Sequence, residues 1–158
     1  MIDSAPGEGT EIRIRLPEAS GGAAEEAEPD DRPLAGRGET ILLVEDEPEL
    51  RALTSEVVTS LGYRVIATPD GREALRRYRE AADRVDLLLT DVVMPGGLGG
   101  FELARQVHAL RADLPIVYMS GHTRSFDGAP QDILGPVLQK PCSVANLSRT
   151  LRRQLDRG

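Results

Sequence analysis

The chain has 158 residues, enough for one ordinary domain plus a tail but too few for two full domains, and 40% of it is hydrophobic, adequate for a core. Its formal net charge of −7 at pH 7 is uneven: residues 1 to 39 carry −6 and residues 40 to 158 carry −1. Neither part has the basic excess that neutralises nucleic-acid phosphates, and no apolar run is long enough to cross a bilayer, so nucleic-acid binding and direct membrane contact are both excluded as expectations.

Residues 11 to 16 alternate, with Ile12, Ile14 and Leu16 on one face, which predicts a short strand closed by Pro17 and preceded by a turn over Pro6-Gly7-Glu8-Gly9-Thr10. From Glu18 to Gly38 the composition shifts to Gly, Ala, Glu, Asp and Pro with almost no large apolar residue. Such a stretch cannot bury enough surface to order itself, and a disordered acidic linker over 18–38 is expected.

From Thr40 onward, short apolar runs alternate with helical patterns. Ile41 to Val44 reads as a strand; Leu50, Leu53, Val57 and Leu61 then recur at helical spacing, with Pro48 near the start and Gly62 as a stop. Arg64 to Ala67 is a second strand. Asp70-Gly71 opens a helix to about Ala82 with Ala74, Leu75 and Tyr78 inward, and Val85 to Thr90 is a third strand. The glycine-rich loop 94–100 leads to a helix carrying Phe101, Leu103, Ala104, Val107 and Leu110, with His108 expected to be exposed beside that stripe. Ile116 to Met119 and Val137 to Gln139 are the last two strands, and Ser143 caps a final helix faced by Val144, Leu147, Leu151 and Leu155. Between them, Arg124 to Gly135 holds two glycines and a proline, so any helix there should be short, frayed or absent. Five strands alternating with helices predict an α/β domain: an open, doubly wound, five-stranded parallel sheet with helices on both faces.

Four of these apolar runs end in Glu45-Asp46, Asp91, Ser120 and Lys140. In parallel strands these residues gather at the carboxyl edge of the sheet, where open α/β folds bind ligands. Three carboxylates brought together repel one another unless a cation holds them, and hard oxygen donors suit Mg²⁺. Taken singly, Glu45 and Asp46 read equally as helix N-terminal acids and Asp91 as a turn residue. Lys140 and Ser120 add one cationic and one neutral donor, completing a set suited to phosphoryl transfer, with an acidic side chain available as covalent acceptor. Lys140 is also the sole lysine among nineteen basic residues. Cys142 is the sole cysteine; it permits no internal disulfide, suits a reducing cytoplasm and is expected to act as a buried small hydrophobe. No export leader opens the chain, so a cytoplasmic location is expected.

The segments Leu43-Val44-Glu45-Asp46-Glu47, Thr90 to Gly96, Met119-Ser120-Gly121 and Gln139-Lys140-Pro141 resemble, in that order, the receiver domain of two-component signalling, in the subtype attached to hybrid sensor histidine kinases. The resemblance covers residue 40 to about 156 and implies a flavodoxin-like receiver fold over 39–158. By it, Asp91 is the phosphoacceptor, and Asp46, Asp91 and the carbonyl of Val93 bind Mg²⁺, with Glu45 acting mainly through metal-bound water. Lys140 pairs with Asp91 and then with the phosphoryl group, and Ser120 is the switch hydroxyl. The implied partner is a histidine kinase dimerisation and phosphotransfer domain or a histidine phosphotransfer protein.

Ser4 to Pro17 resembles the final glycine box and last strand of a histidine-kinase ATP-binding domain, so residues 1–17 are expected to be its remnant, without ATP chemistry of their own. Because the chain stops just after the last helix, no output domain is expected. Three positions depart from the receiver pattern: Val137 replaces the usual aromatic switch residue, Cys142 stands where phenylalanine is common, and His122 lies two after Ser120, read as an exposed loop residue. Val137 points to the alternative of a non-phosphorylated pseudo-receiver that acts as an interaction module. A flavin or nucleotide binder on the same fold ranks last, since no glycine-rich phosphate loop follows the first strand of the sheet.

Overall fold

The structure is a computed structural model that describes residues 2–5, 9–12, 32–95, 97–121 and 133–157. The chain divides into two compact units, Met1–Asp31 and Arg32–Gly158. In the first, β1 (Ile2–Ala5) pairs antiparallel with β2 (Gly9–Ile12), Ile2 opposite Ile12 and Ala5 opposite Gly9. Strand pairing thus begins at Gly9, inside the stretch expected to be a turn, and it has a partner strand that the alternation of residues 11–16 did not reveal.

The second unit runs β3 (Thr40–Val44), α1 (Pro48–Ser60), β4 (Arg64–Thr68), α2 (Gly71–Ala81) with a short 3₁₀ turn at Ala82–Arg84, β5 (Leu87–Asp91), α3 (Gly100–Leu110), β6 (Ile116–Ser120), β7 (Val137–Gln139) and α4 (Val144–Leu155). Its sheet is parallel throughout, in the order β4-β3-β5-β6-β7. This is the doubly wound arrangement that the alternating pattern predicts, in the flavodoxin-like form that the receiver resemblance implies.

The central strands are uninterrupted apolar runs because both of their faces are covered. Leu42, Val44 and Leu88 pack with Ala74 and Tyr78 of α2 and Leu103 and Val107 of α3. Ile41, Leu43, Leu87 and Leu89 pack with Val58 of α1 and Leu147 and Leu151 of α4. Local chemistry sets the helix ends. Asp70 accepts from the amides of Arg72 and Glu73 at 2.8 and 2.9 Å, capping α2, and Ser143 accepts from Asn146 N at 3.1 Å, capping α4. Past α1, Gly62 adopts φ +93°, a conformation that glycine takes without strain.

Several expectations need correction. β5 begins at Leu87, two residues after Val85, because Val85 closes the 3₁₀ turn by donating to Ala82 O at 3.4 Å. On α1, Val58 is the buried residue while Leu53 is 57% exposed, so its apolar stripe is only partly core. His108 is half-buried rather than exposed. Of the linker expected over 18–38, residues 18–31 lie outside the described residues and residues 32–38 fall in the second unit. Leu34 N donates to Ser148 Oγ at 3.0 Å, Gly36 N to Leu61 O at 2.6 Å and Gly38 N to Gly62 O at 3.1 Å, so paired backbone donors join residues 32–38 to the second unit. His122 and most of the 124–135 segment lie outside the described residues, as do residues 13–31.

Candidate functional site at the carboxyl edge

Sheet order places the site. The chain passes from β3 outward to β4 and then returns to the other side of β3 as β5, so the crevice between β3 and β5 is the topological switch point. Val44 pairs with Thr90 in register, which sets Glu45 beside Asp91. One strand further, Asp91 pairs with Met119, and Ser120 pairs with Gln139, so Ser120 and Lys140 arrive at the same edge. Lys140 N donates to Ser120 O at 2.8 Å.

Each predicted carboxylate joins one cluster. Glu45, Asp46 and Asp91 each offer an oxygen, and these atoms all lie within 4.8 Å of one another. Lys140 Nζ bridges two of them, at 2.5 Å from Glu45 Oε2 and 2.6 Å from Asp91 Oδ2. The other Asp91 oxygen, Oδ1, accepts from Val93 N at 3.1 Å. Ser120 is buried at the end of β6, and Val93 is exposed at the rim of the loop.

Burial sets the electrostatics. The Glu45 side chain is 2% exposed, and this desolvation pushes its carboxyl above the usual range; Lys140 opposes the shift, and the charges of Asp91 and Asp46 add to it. Burial alone lowers the Lys140 ammonium, but its hydrogen bonds to Asp91 and Glu45 outweigh that and hold it above its ordinary value. One ammonium among three carboxylates leaves two negative charges uncompensated inside the cluster. A hard divalent ion fits that deficit and that donor set.

Beside the cluster, α1 and α4 frame an apolar groove of about 370 Å³, lined in part by Leu50, Leu53, Val57, Pro141, Cys142 and Val144, with Lys140 at its edge. Cys142 is half-buried there instead of being fully buried, and its thiol is pushed up chiefly by desolvation. Sequence reasoning missed Arg51. Its Nη1 donates to Glu45 O at 2.8 Å and to Asp46 O at 3.2 Å. An arginine one turn into the helix that follows Glu45-Asp46-Glu47-Pro48 is the signal that could have found it.

The sequence profile of the response regulator receiver domain matches residues 41–152. Over 169 aligned positions the chain is 31% identical to the sensor kinase CckA of Brucella abortus, an alignment that takes in 98% of this chain and 17% of that kinase. It is 33% identical to the response regulator receiver protein CpdR of the same organism, across 73% of this chain and 95% of CpdR. Among solved structures, the receiver domain of the sensor histidine kinase PA1611 from Pseudomonas aeruginosa PAO1, with a magnesium ion coordinated in its active site cleft, superposes with a TM-score of 0.68 at 31% identity, covering 75% of this chain and 98% of that domain. On this match of sequence and fold, the chain belongs to the response regulator receiver domain family of two-component signalling.

Proposed function

We propose that residues 39–158 accept a phosphoryl group from a phosphohistidine onto Asp91. The observation that carries this reading is the Lys140 ammonium bridging Glu45 and Asp91 at 2.5 and 2.6 Å, at the switch point of the sheet and within a three-carboxylate cluster. An Asp91 carboxylate oxygen forms the bond to phosphorus while the P–N bond breaks, and the imidazole nitrogen leaves with the electron pair. Lys140 holds Asp91 Oδ2 and Val93 N holds Oδ1, so the carboxylate is aimed before the donor arrives. Lys140 offsets charge that builds on the phosphoryl oxygens, and the Ser120 hydroxyl turns to hydrogen-bond the product. Glu45, Asp46, Asp91 and the Val93 carbonyl would hold Mg²⁺, which when bound neutralises further charge on the transferring group. Water then hydrolyses the acyl phosphate, so the domain stores the signal transiently.

The groove between α1 and α4 supports docking of an amphipathic helix that carries the donor histidine, since Leu53 and Val144 are exposed apolar residues there. The alignment with a sensor kinase over 98% of the chain supports the further reading that residues 1–17 are the end of a kinase ATP-binding domain, joined by an acidic linker to its receiver in a cytoplasmic hybrid kinase. A pseudo-receiver is the second reading. It is favoured by Val137, which stands half-buried where an aromatic switch residue is usual.

The test is to incubate the chain with Mg²⁺ and acetyl phosphate, and separately with a phosphohistidine donor, and to locate acid-stable, base-labile phosphate by mass. Label on Asp91, abolished in Asp91→Asn, is the expected result. No label from either donor sinks the relay reading and leaves the pseudo-receiver.

A further inference from the structure

Glu45 and Asp46 stand past the end of β3, so no strand ladder fixes their carbonyls. Glu45 N is tied sideways to Thr68 O at 3.2 Å. The junction with α1 lacks the usual side-chain cap: Glu47 occupies the cap position without a side-chain hydrogen bond, and Pro48 has no amide hydrogen to give. What spans the junction is Arg51. Its own amide donates to Glu47 O at 2.9 Å, seating it in the first turn of α1, and its Nη1 reaches back to Glu45 O and Asp46 O at 2.8 and 3.2 Å. One nitrogen therefore holds the two consecutive peptide carbonyls whose residues supply two of the three clustered carboxylates.

We propose that Arg51 is a positioning residue of the acidic site: by clamping the carbonyls of Glu45 and Asp46 to the first turn of α1, it sets their carboxylates against Asp91 for a divalent cation. This rests on the metal reading given under the proposed function. Two simpler roles make different predictions. If Arg51 only ties the loop for stability, its loss lowers the melting temperature and leaves metal affinity alone. If it acts only through charge, a cation beside a cation site opposes metal binding, and its loss tightens affinity. Positioning alone predicts weaker binding on removal of a positive charge.

The experiment titrates Mg²⁺ calorimetrically into the full chain and into Arg51→Ala, and measures labelling of Asp91 by acetyl phosphate across Mg²⁺ concentrations. Arg51→Ala should bind Mg²⁺ about ten-fold more weakly, the low end for loss of an outer-shell contact. The Mg²⁺ concentration for half-maximal labelling should rise by the same factor, while the rate at saturating Mg²⁺ stays within about two-fold. Unchanged or tighter affinity overturns the assignment, as does a fall in the saturating rate without a shift in half-saturation. Should Arg51→Ala fail to fold, Arg51→Gln keeps a donor for one carbonyl and should lose about three-fold in affinity, at the weak end for a half-kept contact; parental affinity in it overturns the assignment. If the parent chain itself binds no Mg²⁺, the metal reading fails and Arg51 falls with it. A parent that binds while Arg51→Ala binds equally removes Arg51 alone.

Discussion

Lys140 is the residue on which the cluster depends, because its ammonium is bonded to both Glu45 and Asp91. Replacing it by Met keeps the bulk of the stem and removes the charge, leaving a buried Glu45 facing a second carboxylate. Breaking a buried pair in this way costs 3–5 kcal/mol in full burial, and the partial exposure of Lys140 and Asp91 reduces that to about 2–3 kcal/mol. Urea denaturation in EDTA should therefore give a lower midpoint for Lys140→Met, and Mg²⁺ should recover more stability in the variant than in the parent. Equal midpoints in EDTA would mean that the cluster tolerates its charge without help. The deficit should shrink as pH falls, since Glu45, already pushed up by burial, takes up a proton and its repulsion is lost. Lys140 was legible in the sequence for a compositional reason: it is one lysine among eighteen arginines, placed at a strand end. Arg51 was hidden by the same composition, since one more arginine on a helix looks like a solvated face.

The elements bring these residues together by close backbone approach as much as by side chains. Gly100 begins α3, and a Cβ built there would lie 2.0 Å from Asp91 O, so the helix start rests directly on the Asp91 peptide. Gly100→Ala must push α3 away from the end of β5 or tilt the Asp91 peptide. Overpacking of this kind costs about 1–3 kcal/mol, and here it also moves Asp91. The expected outcome is a lower melting temperature together with weaker Mg²⁺ binding; a melting change without any change in binding would place the strain in the helix alone. The sequence revealed where the elements lie better than where they stop. Apolar runs report burial on both faces and so marked the three central strands most clearly, but Val85 is fully buried without pairing in the sheet, which put the expected start of β5 two residues early. The stripe on α1 misled in another way, because Leu50 and Leu53 face a groove and not the core. Gly100 could be seen only as the end of a glycine-rich loop, since its approach to Asp91 depends on tertiary structure.

At the scale of the whole receiver unit, a charged network at the opposite edge of the sheet fastens its two chain ends. Arg152 in α4, only 7% exposed, reaches Glu39 at 2.5 Å and Asp156 at 2.9 Å; Arg37 N donates to Glu39 Oε2 at 2.6 Å, and the Arg37 guanidinium lies 3.4 Å from Asp156. The lead-in to β3 and the last helix are thereby held to one another, with Glu39 at the centre. Burial pushes the Glu39 carboxyl up, but the Arg152 hydrogen bond and charge, with backbone hydrogen bonds from residues 37 and 39, outweigh it and leave the group below its ordinary value of 4.5. A carboxyl lowered by folding stabilises above its unfolded value and loses that contribution as pH falls through the folded one. The network should therefore hold at pH 7 and weaken below pH 4.5. Glu39→Gln removes the charge facing Arg152 Nη1 while Asp156 still pairs Nη2, so it should cost about 1–3 kcal/mol at pH 7, the range for weakening a hydrogen bond to a charged group. Between pH 4.5 and the onset of acid unfolding, the parent should lose stability more steeply than the variant, and the two curves should converge. Parallel curves across that interval would show that the Arg152 pair contributes nothing that titrates. Convergence would establish that the lead-in and α4 are coupled through Glu39, at the edge of the sheet opposite Glu45, Asp46 and Asp91.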